Sequence, residues 1–231
     1  MSGLLPHNLF ADPIRSALAT THSHFAVGDT LARRYPGDVA PFATLSAPSV
    51  AAMEQLQSLL AAGEGIWLFG NDLPSIPGLE ITDHMPGLQM GLPHDIEPPE
   101  PAASLAALSE AQADEMVALT DLAFPGFFRR CTWRMGSYWG VRSPTGALIA
   151  MGGERMKLAG FAEVSAVCTH PNFRGRGYAE SIIWQVVRKQ RGDGVRSFLH
   201  VGAGNAKAIA LYERLGFVRC REIVITRVLA W

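Results

Sequence analysis

The sequence predicts an α/β (α+β) protein: a mixed, strongly twisted sheet with helices on both faces, preceded by a small α/β unit. Three observations carry that expectation. Residues 163–169 are small or β-branched and carry no charge after Glu163, and a glycine-punctuated turn leads from them straight into a helical stretch. That stretch places Ala179, Ile182, Ile183, Val186 and Val187 on one apolar face. Residues 197–201 then repeat the order strand, turn, helix, with Asn205 as N-cap and Gly216 as the stop. Residues 138–155 read as a hairpin around Ser143-Pro144-Thr145.

Taken in order, residues 14–27 are a first, weak helical stretch. Residues 48–62 space Val50, Met53, Leu56, Leu59 and Leu60 as a helix ended by Gly63. Residues 66–69 are a short apolar strand bounded by Gly65 and Gly70-Asn71-Asp72. Residues 93–101 hold four prolines, which exclude a helix or a central strand and read as an extended linker. The organisation expected is therefore an N-terminal α/β domain of unknown role over 1–92, a linker over 93–103 and a main domain over 104–231. Within the last, residues 105–108 are a strand, and Ser109 with Gln112 forms a capping box for a helix through Met116, Leu119 and Leu122. Residues 124–135 are a loop or short helix rich in aromatics and arginines. The hairpin, the 163–169 strand and its helix follow, then the 197–201 strand, the 206–215 helix and a last strand over 217–229.

Composition excludes several classes. The chain has 231 residues, 48% of them hydrophobic, enough for one large or two small cores. Twenty Lys and Arg against 21 Asp and Glu leave no basic surplus, which argues against nucleic acid as a partner. No apolar run is long enough to span a bilayer, and residues 1–10 lack the layout of a signal peptide. Cys131, Cys168 and Cys220 are odd in number and widely spaced, as expected for reduced thiols in a cytoplasmic protein without a structural metal. His22-Ser23-His24 lacks a third ligand, so no metal is expected there.

The turn after residue 169 carries the chemistry. Arg174-Gly175-Arg176-Gly177-Tyr178-Ala179 lets successive backbone N–H groups face one spot in front of a helix, with two arginines alongside, and that is a phosphate or pyrophosphate site. It is not a P-loop, because no Lys-Ser or Lys-Thr follows, and it lacks the third glycine of a dinucleotide fingerprint. The loop resembles the pyrophosphate loop of the GNAT superfamily, the acyl-CoA-dependent N-acyltransferases, and follows a strand with the Val-x-Thr-x-Pro of that family's fourth strand. Asn205 to Phe217 resembles the family's Asn-x-x-Ala-x-x-Leu-Tyr-x-x-x-Gly-Phe signature. The likeness covers about residues 104–231 and is most similar to a bacterial-type subgroup with an extra N-terminal half.

The resemblance implies an N-acetyltransferase that passes an acetyl group from acetyl-CoA to a primary amine by direct attack in a ternary complex. Cofactor contacts implied are Val167, Cys168 and Thr169 in a bulged strand, with the Cys168 amide favoured as the carbonyl donor, then Arg174 to Ala179, and Asn205 at the pantetheine arm. Glu163 sits where relatives carry a glutamate acting as base through water; the plain alternative is a strand-end carboxylate paired with an arginine. Tyr212 matches the tyrosine that protonates the leaving thiolate, against the alternative of a core aromatic. An acyl-cysteine route through Cys168 has no histidine partner in view. His200 is expected to be structural, His170 solvated, and Ser165 without a base. Residues 124–128 fall where relatives carry an acceptor-binding loop. The acceptor is a small-molecule or protein amine. The second class of reading is a non-catalytic acyl-CoA-binding or sensing module, and a third is transfer of a longer acyl chain. The apolar strand ending at Trp231 would pair across a homodimer or cover its own sheet edge.

Overall fold

A computed structural model describes residues 5–231, so the first four positions of the segment read above for a leader lie outside the described residues. The chain opens with α1 (His7–Phe10) and α2 (Pro13–Ala19). Asp12 caps α2 by accepting the Arg15 amide, and Pro13 occupies the first helical turn, where its missing N–H has no partner to lose. The helical stretch expected over 14–27 is thus shorter: it stops at Thr20 and is followed by a separate 3₁₀ turn, Ser23–Phe25.

Next come β1 (Val27–Gly28), β2 (Ala32–Arg34) and β3 (Ala43–Leu45), a small antiparallel sheet not anticipated from sequence. They are followed by α3 (Val50–Ser58), β4 (Gly65–Phe69), β5 (Leu79–Gly91), β6 (Ala106–Leu108) and α4 (Ala113–Asp121). The C-terminal run is β7 (Tyr138–Arg142), β8 (Leu148–Leu158), β9 (Phe161–Thr169), α5 (Tyr178–Gly192), β10 (Arg196–Gly202), α6 (Ala206–Arg214) and β11 (Val218–Ala230). Each element expected after residue 104 is present, and the Ser109–Gln112 capping box is formed.

The main sheet has eight strands in the order β4-β11-β5-β10-β9-β8-β7-β6. Only β9 and β10 run parallel; the ladders to either side are antiparallel. This order corrects the boundary drawn at residue 92. β5 from the first half lies between β10 and β11 of the second, and β4 extends the same sheet. The proline-rich stretch is therefore a connection across one sheet rather than a spacer between two. β5 escapes a sequence reading because Pro86 and its charged first half argue against a central strand. Pro86 is tolerated because it lies just past Gly87, where the β10 ladder ends; its carbonyl still accepts the Ala203 amide at 2.9 Å, so the chain loses no ladder N–H there. From Ile225 to Leu229 both edges of β11 are bonded within the chain, so this strand covers its own sheet and offers no edge there for pairing across a dimer.

Helices lie on both faces. On one, Ile182, Ile183, Val186 and Val187 of α5 and Ile209 of α6 pack on Leu88, Leu199 and Val201. On the other, Phe10 meets Phe161 and Phe198 edge-on at 5.1 and 4.8 Å, and α4 sets Met116 and Leu119 against Tyr138 and Cys168. Burial of these aromatics supplies much of the driving force for joining the first segment to the sheet. Among the described residues, no helix is long and apolar enough to cross a membrane.

Candidate active site

The parallel pair at the centre of the sheet comes apart. β9 and β10 are in register only at Phe161↔Arg196, Ala162↔Ser197 and Glu163↔Phe198; beyond these, β9 runs on to Thr169 and β10 to Gly202 without pairing. The parting coincides with a bulge. Opposite β8 the register shifts between Met151↔Cys168 and Gly153↔Ser165, and Ala166 takes a left-handed φ of 56°. A non-glycine residue there is strained, and the strain turns the backbone of β9 away from its neighbour.

The bulge revises which amide faces the opening. The His170 N–H donates to Ile149 O, so that pair is hydrogen-bonded, and by alternation Met151↔Cys168 is hydrogen-bonded too. The Cys168 amide therefore belongs to the β8 ladder, and the Val167 amide, one residue earlier, faces the gap. The Cys168 side chain is buried on the α4 face, where burial pushes its thiol up to about 12, which removes it as a nucleophile at neutral pH. Val167 packs against the α5 face, and Thr169 ends the strand with its carbonyl accepting from Arg174 Nε at 3.3 Å.

Beyond Thr169 the glycine loop is built as its spacing requires. Gly175 and Gly177 both have φ of 76°, and Gly177 is the N-cap of α5 without a side-chain cap. A side chain at either would meet nothing within 4 Å, so the backbone conformation, not crowding, demands glycine. Arg174, Gly175, Arg176 and Gly177 are exposed, while Tyr178 and Ala179 begin the helix half-buried. Arg176 is held with its guanidinium 5.4 Å from the Phe173 ring centre. The uncapped amides and the positive helix end give an anion a place to sit.

A cavity of about 290 Å³ opens from the parted strands. Val167, Val201, Asn205 and Tyr212 line one end. Asn205 Oδ1 caps α6 by accepting the Ala208 amide at 3.2 Å, so the N-cap and the cavity wall are one residue. Tyr212 packs on Phe217, and burial, with the Glu163 charge second, pushes its hydroxyl up to about 12. It is protonated at neutral pH and has no hydrogen-bond partner among the described residues. The other end is aromatic. Phe124, Phe127 and Phe128 come from the expected acceptor loop, but Phe42, Phe69, Met85, Pro86 and Gly87 come from the first 92 residues. That contribution was invisible in sequence, because no local motif marks it.

Glu163 does not line the cavity. It is 1% exposed, and its carboxylate accepts from Arg155 Nε at 3.0 Å, Arg155 Nη2 at 2.6 Å and the Met156 amide at 3.2 Å, while His200 Nδ1 lies 2.8 Å away. Burial alone would raise its pKa; the Arg155 charge, then His200, and the hydrogen bonds from both outweigh it and hold the carboxyl well below the usual carboxylate range. A carboxylate so held is a weak base, and the plain alternative of an arginine-paired acid describes it better. His200, expected to be only structural, lines the cavity in front of Glu163. Gln89 fixes its tautomer: Gln89 Nε2 donates to Phe10 O at 3.0 Å and approaches His200 Nε2 at 3.2 Å, so Nε2 carries the lone pair and Nδ1–H points at Glu163. Neither partner of this cluster is near Glu163 in sequence in a way that periodicity reveals.

Comparison with known proteins shows the family and the fold. The family model described as FR47-like protein matches residues 138–225. A GNAT-family protein from Novosphingobium aromaticivorans is similar over 96% of this chain and 98% of its own, at 36% identity and a TM-score of 0.85. A GCN5-related N-acetyltransferase from Kribbella flavida shares the fold over 94% of each chain, at 18% identity and a TM-score of 0.62. Another from Sphaerobacter thermophilus does so over 77% of this chain and 64% of its own, at 19% and 0.53. No curated protein sequence matches the chain.

Proposed function

Because the chain belongs to the GNAT family, we propose that it is an N-acetyltransferase that passes the acetyl group of acetyl-CoA directly to a primary amine. The parting of β9 from β10, with the glycine loop following β9 and an aromatic-lined cavity beside the gap, carries this reading. The loop from Arg174 to Ala179 would hold the pyrophosphate, and Val167, Asn205 and Tyr212 would flank the pantetheine arm. Acetyl-CoA supplies a thioester carbon open to attack. The C–N bond forms, the C–S bond breaks, the amine loses a proton and the thiolate gains one.

The chain's own groups serve each need. The Val167 amide is a fixed donor for the carbonyl oxygen as charge gathers there. Tyr212, protonated and unpartnered, donates to the departing sulfur. His200 takes the amine proton at Nε2, where only the 3.2 Å contact from Gln89 competes, and Glu163 positions its ring. Holding both reactants in one chamber contributes much of the rate.

The test is amine-dependent release of free thiol from acetyl-CoA. Tyr212→Phe is expected to lower kcat by about 100-fold, and His200→Gln by a similar factor, within the usual range for acid–base groups. In both variants the Kd for acetyl-CoA should stay within a few-fold of the parent. An acyl-CoA-binding module without turnover would instead show binding and no thiol release from any amine, and a longer-chain transferase would release thiol faster from longer thioesters.

A further inference from the structure

A second cavity, of about 420 Å³, adjoins the first across Phe127, which lines both. Trp67 stacks on that ring at 5.3 Å between centres and lines the second cavity. Three charged side chains belong to its wall: Glu64, Arg129 from the loop after α4, and Arg227 from β11. Glu64 is already neutralised. Both of its oxygens accept from Arg34, and Oε2 takes the Ala61 amide at 3.1 Å as well. Arg34 also gives Nε to the Tyr35 carbonyl and Nη1 to that of Leu59, so this pair is complete in itself.

The two arginines have no such partner. Among the described residues, Arg129 makes no side-chain hydrogen bond or ion pair. The Glu64 pKa is lowered first by its hydrogen bond from Arg34 and also by the Arg129 charge, which sets that guanidinium near the same wall. Arg227 reaches only the Thr82 hydroxyl, at 3.4 Å. Asp83, its cross-strand neighbour, is exposed and forms no ion pair with it. The Arg227 guanidinium lies across Gly65 of β4, where an added Cβ would collide with Nη2. Glycine there makes room for the arginine beside Trp67, the Cα partner of Arg227 on the same strand.

Two like charges therefore meet at one cavity without a counter-ion. Such a cleft concentrates anions, and each guanidinium offers a planar fork to a carboxylate or phosphoryl group. A monoanion leaves one charge unanswered, and a cation adds another of the same sign. Trp67, Phe127, Pro41 and Pro125 supply apolar wall, which suits an organic body better than a bare ion.

We infer that this cavity is a binding site for a small organic dianion, whose charge is taken by Arg129 and Arg227 and whose apolar body lies against Trp67 and Phe127. The site is separate from the acyl-transfer chamber, and it does not rest on the N-acetyltransferase reading.

The experiment is calorimetric titration of the intact protein with isophthalate, phenyl phosphate and benzoate. It is run at about pH 8, where the first two are dianions, and with excess CoA to occupy the glycine loop. At least one dianion is expected to bind, with benzoate about tenfold weaker. Tighter isophthalate assigns the site to dicarboxylates, and tighter phenyl phosphate to phosphate monoesters. Arg129→Gln and Arg227→Gln should each weaken the dianion by about tenfold, and Arg129→Lys should recover part of the loss. Gly65→Ala should weaken it too, without removing a charge, by displacing the Arg227 guanidinium. Neither arginine has an ionic partner to lose, so the glutamine variants should unfold at the parent Tm or above it. Arg176→Ala, in the glycine loop, should leave dianion binding unchanged. No binding of either dianion, benzoate binding as tightly as both, or dianion binding that survives both glutamine variants overturns the inference. So does a loss confined to Arg176→Ala, which would move the anion to the glycine loop.

Discussion

Gly177→Glu should raise the Kd for acetyl-CoA by about 10³-fold, measured by calorimetric titration. Two effects add. Gly177 holds a left-handed φ of 76° as the N-cap of α5, and any other residue pays about 1–2 kcal/mol to stay there. The loop relieves that strain by turning its amides away from the anion they face. The new carboxylate then sits at the positive end of the helix, in the place of the pyrophosphate, and removes charge-assisted hydrogen bonds of about 1.5–3 kcal/mol. At 1.4 kcal/mol per tenfold the sum approaches three orders of magnitude. Gly177→Ala keeps the strain without the charge, and should show about a tenfold loss. A full loss in the alanine variant would assign the effect to backbone shape alone. No loss in the glutamate variant would detach the loop from cofactor binding.

Glu163→Gln should destabilise the protein by about 3–5 kcal/mol, because it leaves the Arg155 charge buried beside a neutral amide. Urea unfolding followed by tryptophan fluorescence reads this. The pH dependence provides a second check. The folded carboxyl titrates well below its ordinary value of 4.5, so its stabilisation is fully present above about 4.5 and is lost as pH falls below that toward the folded value. Wild type should thus lose stability on acidification more steeply than Glu163→Gln, and the gap between them should narrow. A gap that stays constant from pH 7 down to pH 3 would mean that the ion pair does not hold Glu163 as described.

The second half of the chain could be read because its information is local. The 163–169 strand, two glycines at positive φ and an apolar face through Val187 are all near neighbours in sequence, and so are Asn205, Tyr212 and Gly216. The first half could not, because its strands depend on distant partners. β5 has Pro86, Asp83 and His84 in it, and it becomes a strand only because β10 and β11 bond it from both sides. The same distance hid the true setting of Glu163. Its position at the start of the strand was plain, but Arg155 and His200 reach it from other strands and turn a candidate base into a buried counter-ion. The bulge was foreseen as a feature of β9, whereas its seat at Ala166, and hence the Val167 amide, required the ladder with β8.

The place of β5 also bears on how the molecule comes into being. A ribosome delivers Leu79–Gly91 long before either of the strands that flank it, so the sheet cannot close in the order in which it is synthesised. The early segment gains its sheet partners only when Arg196–Gly202 and Val218–Ala230 arrive, and the second of these is the strand that locks the first half in. Acquisition of the chamber is therefore tied to the arrival of β11: Phe42 and Phe69 share its lining with Ile223 and Ile225, and the strand that carries Phe69 joins the sheet through β11.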